Sequence, residues 1–357
     1  MSANLSTECS REPSASKDLP VGLRATICIL IICIIFVSVL GNSIVCFIVH
    51  QKPPMRSAIN LLLANMAMCH IVLSLVSLPL VFTTVISGRW MYGDLICKGT
   101  AFLHALLVCE SIFVLVTISA DRYLITVRRL DKLTPRRAKR LIIGSWIGSF
   151  FLVMPPCFGV AEYTFHPGWP QCTLGHYSST GDIIYVVFFF FVLFYGPALL
   201  ITPAYFAILR NVRVQMRRVT PQPEQITAIA DGRLGLRLHK YCPTRVHVGV
   251  NLKARSFKTI LILFITYLVC WLPYSFVMIA WIVEQKLDEN AIAGSVILLL
   301  SYFNCAANPV IYCWRIRKFR DACSEIIPNS MKAITSIPKR AQRRVNPASL
   351  YVSQTSN

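Results

Sequence analysis

Seven long apolar runs divide this chain, at about residues 24–49, 59–86, 94–127, 139–160, 181–212, 255–284 and 291–314. Each is long enough to cross a bilayer, which takes ~20 apolar residues as a helix. In hydrocarbon a helix satisfies its own backbone polar groups, whereas an isolated strand or a loop does not. The expectation is an all-α membrane protein, a seven-transmembrane helix bundle. Composition agrees: 55% of the residues are hydrophobic and only 15% are charged, too little polar surface for a soluble globule.

Orientation follows from the basic residues. Lys52 and Arg56 come after the first run, Arg128, Arg129, Arg136 and Arg137 after the third, and Arg210, Arg213, Arg217 and Arg218 after the fifth, whereas 160–182 carries neither Lys nor Arg. The positive-inside rule puts the first set of loops in the cytoplasm, the N-terminus outside and the C-terminus inside. Residues 1–23 are polar and the first apolar run lacks a small-residue cleavage site, so the first span is expected to serve as its own targeting signal. The formal charge of +20 sits in short loops beside the spans. It fits anionic lipid headgroups and an acidic cytosolic partner rather than nucleic acid, since no basic patch is interleaved with aromatics for base stacking.

The chain then divides into an extracellular tail (1–23), the bundle (24–314, with a long inner loop at about 214–254), a membrane-surface helix (315–327) and a cytoplasmic tail (328–357). Ile316, Phe319, Ala322 and Cys323 recur at helical spacing between basic residues, the pattern of a short amphipathic eighth helix. Cys323 is a candidate for palmitoylation, with an unmodified buried thiol as the other reading. Asn4 opens a glycosylation sequon. Most cysteines lie within spans, where a free thiol packs as a small apolar group. Cys97 and Cys172 fall at the outer side, in an oxidising compartment. A disulfide between them would pin the loop after span four over the bundle mouth; Cys9 competes for either, from a polar segment less suited to holding it in place.

On the third span His104, Val108, Ser111, Leu115, Ile118 and Arg122 follow steps of three and four, which forms one stripe expected to face the bundle axis. Charged groups inside a membrane are costly, so Asp121-Arg122 and Glu110 each need a partner or a task. Glu110 lies off the stripe and is expected to hydrogen-bond between helices in its protonated form, with ligand contact as the alternative. Pro273 and Pro309 each remove a helix hydrogen bond in a span.

The ordered set of short motifs resembles the rhodopsin-like class of G protein-coupled receptors over all seven spans. It comprises Gly41-Asn42, Trp90 to Gly93, Cys97, Asp121-Arg122-Tyr123, Trp146, Pro197, Tyr205, Cys270-Trp271-Leu272-Pro273, Asn308-Pro309-Val310-Ile311-Tyr312 and Phe319. Within that class Met55 to Ala64 and Tyr312 to Ile316 look most like a small vertebrate orphan subgroup. The resemblance implies a receptor, not an enzyme, that acts on heterotrimeric G proteins when span six swings outward. Asp121, Arg122, Tyr123, Tyr205, Trp271, Pro273, Asn308, Pro309 and Tyr312 would form the activation switch. It also implies a ligand pocket among His104, Val108, Phe189, Trp271, Tyr274, Ser275 and Tyr302.

Two departures stand out. Where many relatives place a glutamate that holds the arginine, this chain has Lys253, so a less firmly locked resting state and raised basal signalling are expected. Where the family carries an aspartate that anchors sodium, this chain has His70, with Ser111, Asn304 and Asn308 around it. Histidine offers no anionic oxygen, so loss of the sodium site is expected, with a neutral, hydrogen-bonded imidazole preferred over a proton-sensitive one.

In the pocket, His104 stands where amine-binding relatives have aspartate, Tyr302 where retinal-binding relatives have lysine, and Thr100 where one kind of lysophospholipid relative has a basic residue. A monoamine, retinal or that lysophospholipid mode is therefore disfavoured. An apolar lipid, a peptide end or no ligand at all remains. A non-signalling binding module, either a decoy or a dimer partner, is the alternative function. No aspartate pair, metal-ligand spacing or broken-helix pair points to a transporter or intramembrane enzyme, and no cofactor is expected.

Overall fold

A computed structural model describes residues 19–130, 133–175, 179–218, 228–229, 237–238, 244–284 and 291–326. Asn4, Cys9 and the tail after 326 lie outside the described residues, as does the side chain of Lys253. Among the described residues seven helices are long and apolar enough to span a membrane: α1 (Val21–Gln51), α2 (Ala58–Ser87), α3 (Gly93–Thr126), α4 (Pro135–Phe158, its last turn a tight one), α5 (Thr180–Val214, continuing to Arg218), α6 (Thr244–Glu284) and α7 (Ala291–Arg315). A short helix, α8 (Arg317–Ile326), follows. Two-residue strands β1 (Tyr163–Thr164) and β2 (Thr173–Leu174) pair antiparallel between α4 and α5, and β3 (Ala228–Ile229) pairs with β4 (Arg237–Leu238) between α5 and α6.

Helix starts follow local chemistry. Ser57 and Thr134 cap α2 and α4 by accepting from the amides of Asn60 and Arg137. Ser179 and Asp182 form a reciprocal capping box at α5. Asp182 Oδ1 also accepts from the Ala161 amide at 2.9 Å, so one carboxylate starts a helix and ties down the preceding loop. Gly88 ends α2 at φ 70°, a conformation that suits a residue without Cβ.

The helices continue beyond the apolar runs. α6 begins at Thr244, so about ten residues expected in the long inner loop are helical. The reason is physical: an apolar run marks the stretch that meets hydrocarbon, while backbone hydrogen bonding continues through polar residues once a helix has started. Two wide turns also went unread. Leu73–Ser77 and Phe191–Tyr195 are π-helical, ahead of Pro79 and Pro197, each of which lacks the N–H an α-turn needs. By contrast α6 and α7 stay helical through Pro273 and Pro309.

α3 is the central helix, packed on α2, α4 and α5, while α1 packs on α2 and α7. Its buried side chains include Leu107, Ile112, Leu115 and Ile118. Phe36, Phe151, Phe188, Phe206 and Phe276 lie on the outside, 54% or more exposed. Such an apolar exterior fits lipid tails and not water. Phe319 and Ala322 of α8 are buried, and the Phe319 ring packs on Tyr312 at 6.0 Å.

Candidate functional site

At one end of the bundle Cys97 of α3 is disulfide-bonded to Cys172 beside β2, so the pairing with Cys9 is not the one formed. The β1–β2 hairpin lies over the helices, with Tyr163, Trp169, Gln171 and Thr173 all buried. Burial pushes the Tyr163 phenol well above its usual value, so it stays a donor, to the Val153 carbonyl at 3.1 Å. Thr173 Oγ1 meets Tyr274 Oη at 2.5 Å, and Tyr302 Oη donates to Gln171 Oε1 at 2.7 Å. The hairpin is thereby joined to α6 and α7.

Under the hairpin lies a narrow cavity. His104, Val108, Phe189, Trp271 and Tyr274 line it together with Gln171, Cys172 and Phe194. Tyr302 does not line it but holds His104, with His104 Nδ1 3.0 Å from its hydroxyl oxygen. Ser275 is fully buried and not in the lining, because its hydroxyl donates back to the Leu272 carbonyl at 2.9 Å. Gln171 and Thr173 went unread in the sequence. Their adjacency to Cys172 was the available signal, since the disulfide brings that segment to the bundle mouth.

Deeper in, His70 is buried, with Nδ1 3.4 Å from Asn308 Nδ2. Ser111 turns its hydroxyl onto the Leu107 carbonyl at 2.8 Å, and Asn304 Oδ1 is buried without a partner, so of the expected polar cluster one direct contact to His70 is formed. A second polar group, unread in the sequence, joins three helices: Ser74 donates to Ser38 at 2.7 Å, and Asn42 Nδ2 reaches both Ser38 and the Cys305 carbonyl. Glu110 faces α2 and α4. Its Oε1 accepts from Asn65 Nδ2 at 2.6 Å and from Ser145 Oγ at 2.9 Å, while Trp146 Nε1 donates to Asn65 Oδ1. This is the interhelical arrangement expected for a carboxyl group off the stripe, and it leaves the ligand-contact reading without a geometric basis.

At the opposite end Arg122 Nη2 lies 3.6 Å from Asp121 Oδ2, and Asp121 Oδ1 accepts from the Leu133 amide at 3.0 Å. Tyr123 lies beside them, half-buried. The hydroxyls of Tyr205 and Tyr312 are buried and have no partner. Cys323 Sγ is 3.6 Å from Cys313 Sγ. Among the described residues no cluster of His, Cys, Asp and Glu could hold a metal ion.

The profile of the 7 transmembrane receptor (rhodopsin family) matches residues 41–312. The chain belongs to that family. Human probable G-protein coupled receptor 45 is 39% identical to this rhodopsin-family receptor over 342 residues, covering 95% of this chain and 92% of the relative. The Xenopus laevis high-affinity lysophosphatidic acid receptor is 38% identical, over 92% of this chain and 89% of its own length. Squid rhodopsin superposes with a TM-score of 0.71 at 22% identity, over 89% of both chains, which is a likeness of fold. The receptor is thus a multi-pass membrane protein and not an enzyme.

Proposed function

We propose that this receptor catalyses nucleotide exchange on heterotrimeric G proteins, with its N-terminus outside the plasma membrane and the Asp121-Arg122-Tyr123 end facing the cytoplasm. The single observation that carries this reading is the Arg122 guanidinium held at 3.6 Å by Asp121 and beside Tyr205, with the hydroxyls of Tyr205 and Tyr312 both buried without a partner. Outward movement of the inner end of α6 would free Arg122 and let those hydroxyls find partners, so the pieces support a two-state switch. Trp271 and Pro273 on α6, with Asn308 and Pro309 on α7, would transmit a change in the cavity to that end. Lys253 in place of an arginine-holding acid supports raised basal exchange. Asn4 is proposed as a glycosylation site and Cys323 as an acylation site that fixes α8 to inner-leaflet lipid.

The cavity beside His104 is proposed as the ligand pocket. Among the described residues no Lys or Arg lines it, which favours an apolar ligand over a phosphate headgroup there, although one relative is named a lysophosphatidic acid receptor. The test is basal nucleotide exchange by the purified full chain on a panel of G protein subtypes, with surface-matched Arg122→Ala beside it. Exchange that falls at least tenfold in the variant supports the reading. Exchange by the native chain no faster than that of G protein alone, with and without pocket probes, favours a non-signalling binding module, the reading that His70 in place of the family's acid supports.

A further inference from the structure

The cavity beneath the hairpin contains one buried polar atom whose chemistry is fixed by its neighbours. His104 is 8% exposed, and its ring is bracketed by Trp271 at 5.8 Å and Tyr302 at 5.2 Å between ring centres. The Tyr302 phenol has a single hydrogen, and it is given to Gln171 Oε1 at 2.7 Å. Its oxygen can then only accept from His104, whose Nδ1 is 3.0 Å away. Nδ1 therefore carries the imidazole proton. Among the described residues no carboxylate lines the cavity to hold a second proton on the ring, so Nε2 presents a bare lone pair. Nε2 is buried and has no partner. A buried acceptor left unmatched costs free energy that a matching donor recovers.

We infer that this cavity selects a neutral, largely apolar ligand bearing a hydroxyl or N–H donor that is delivered to His104 Nε2, with Tyr302 and Gln171 as positioning residues that set the polarity of the site. The inference rests on the proposal that this cavity is the ligand pocket. A carboxylate or a phosphate dianion offers only lone pairs and meets the Nε2 lone pair with no counter-charge among the described lining residues, so it is disfavoured. An ether can accept from the other unpartnered polar atom of the lining, the Trp271 indole N–H, but leaves Nε2 unmatched, so it binds more weakly than the alcohol. An ammonium group donates but finds no carboxylate in the lining to balance it. What remains is an alcohol, a phenol or an amide on an aromatic or aliphatic body that packs against Phe189, Phe194 and Trp271.

The experiment uses the full chain in lipid nanodiscs with ¹⁵N-labelled histidine. Three matched probes, 2-naphthol, 2-methoxynaphthalene and 2-naphthoate, are measured against empty nanodiscs. His104 is identified by the signal lost in His104→Phe. The expected result is a protonated Nδ1 and a bare Nε2, with 2-naphthol shifting Nε2 and binding about tenfold or more tightly than its methyl ether, and naphthoate binding no better than the ether. Tyr302→Phe keeps the ring but removes the hydroxyl that fixes the proton, so its preference for naphthol over the ether should fall to within about threefold. A merely structural Tyr302 would leave that preference unchanged. A protonated Nε2 in the native chain overturns the inference. So does equal binding, or no binding, of naphthol and its ether, as when Nε2 serves only a trapped water. Nucleotide exchange is followed on the same preparation. Intact exchange without probe discrimination removes the ligand chemistry alone, whereas discrimination without exchange removes the signalling reading and leaves the donor-selecting cavity.

Discussion

Glu110 shows how a costly group is accommodated in a bundle that spans a membrane. Its Oε1 receives two donors, Asn65 and Ser145, and through Asn65 it is linked to Trp146. Removing the acceptor strands the Asn65 amide, whereas Ser145 still has the Ile142 carbonyl at 2.9 Å, so Glu110→Ala should lower stability by about 1–3 kcal/mol and Glu110→Gln by less, read as the shift in thermal unfolding midpoint. Equal shifts for the two variants would show that neither the volume nor the acceptor oxygen, both of which Gln keeps, is what Glu110 contributes. His70 poses a different question. It sits 3.4 Å from Asn308 and supplies nitrogen where a hard cation prefers anionic oxygen. His70→Asp should make basal nucleotide exchange fall as sodium replaces an inert cation at constant ionic strength, while the native receptor stays indifferent. A sodium response in the native chain would contradict the loss of that site.

Helix contacts in this receptor depend on close backbone approach as much as on side-chain interlock. A Cβ on Gly41 would stand 2.7 Å from Pro309 Cγ, so α1 and α7 meet only because that position is bare. Gly41→Ala should force them apart at a cost of about 1–3 kcal/mol, measured as a lowered unfolding midpoint, and an unchanged midpoint would mean that the proline ring yields. Gly294 likewise lets α7 approach the hairpin, since a Cβ there would collide with the Gly168 carbonyl in the loop between β1 and β2. The hairpin is further held by the Cys97–Cys172 bond across 75 residues. Cys97→Ser should destabilise the receptor by about 2–5 kcal/mol and make its unfolding midpoint insensitive to reductant. If the midpoint still fell on reduction, another disulfide would be holding the chain.

Across the protein the buried tyrosines of the two ends differ in whether their hydroxyls are matched. At the disulfide end Tyr302 and Tyr274 both hydrogen-bond the hairpin. At the Asp121 end Tyr205 and Tyr312 bury hydroxyls with no partner. Since neither hydroxyl bonds in this conformation, Tyr205→Phe and Tyr312→Phe should leave stability within about 0.5 kcal/mol. They should nonetheless reduce nucleotide exchange severalfold, because the lost hydrogen bond belongs to the other state. A large drop in unfolding midpoint with unchanged exchange would assign both hydroxyls to structure alone.

Much of this was legible in the residues themselves. The seven apolar runs determined the number and order of the spans, because only a helix of that length is stable in hydrocarbon. The helical period on α3 determined that His104, Ser111 and Leu115 share a buried face while Glu110 turns aside, since the angle between side chains along one helix is a local property. Cys97 and Cys172 were readable because few cysteines lay at the outer ends of spans. Contacts between distant segments were decided only in three dimensions. Gln171 reaches Tyr302, Ser74 reaches Ser38, and Asp121 accepts from Leu133, and none of these pairs follows from spacing along one helix. The π-turns ahead of Pro79 and Pro197, the start of α6 at Thr244 and the inward turn of Ser275 belong with them. Periodicity says which face of a helix is buried. Which neighbour it meets, and hence where each donor finds its acceptor, depends on how the helices pack.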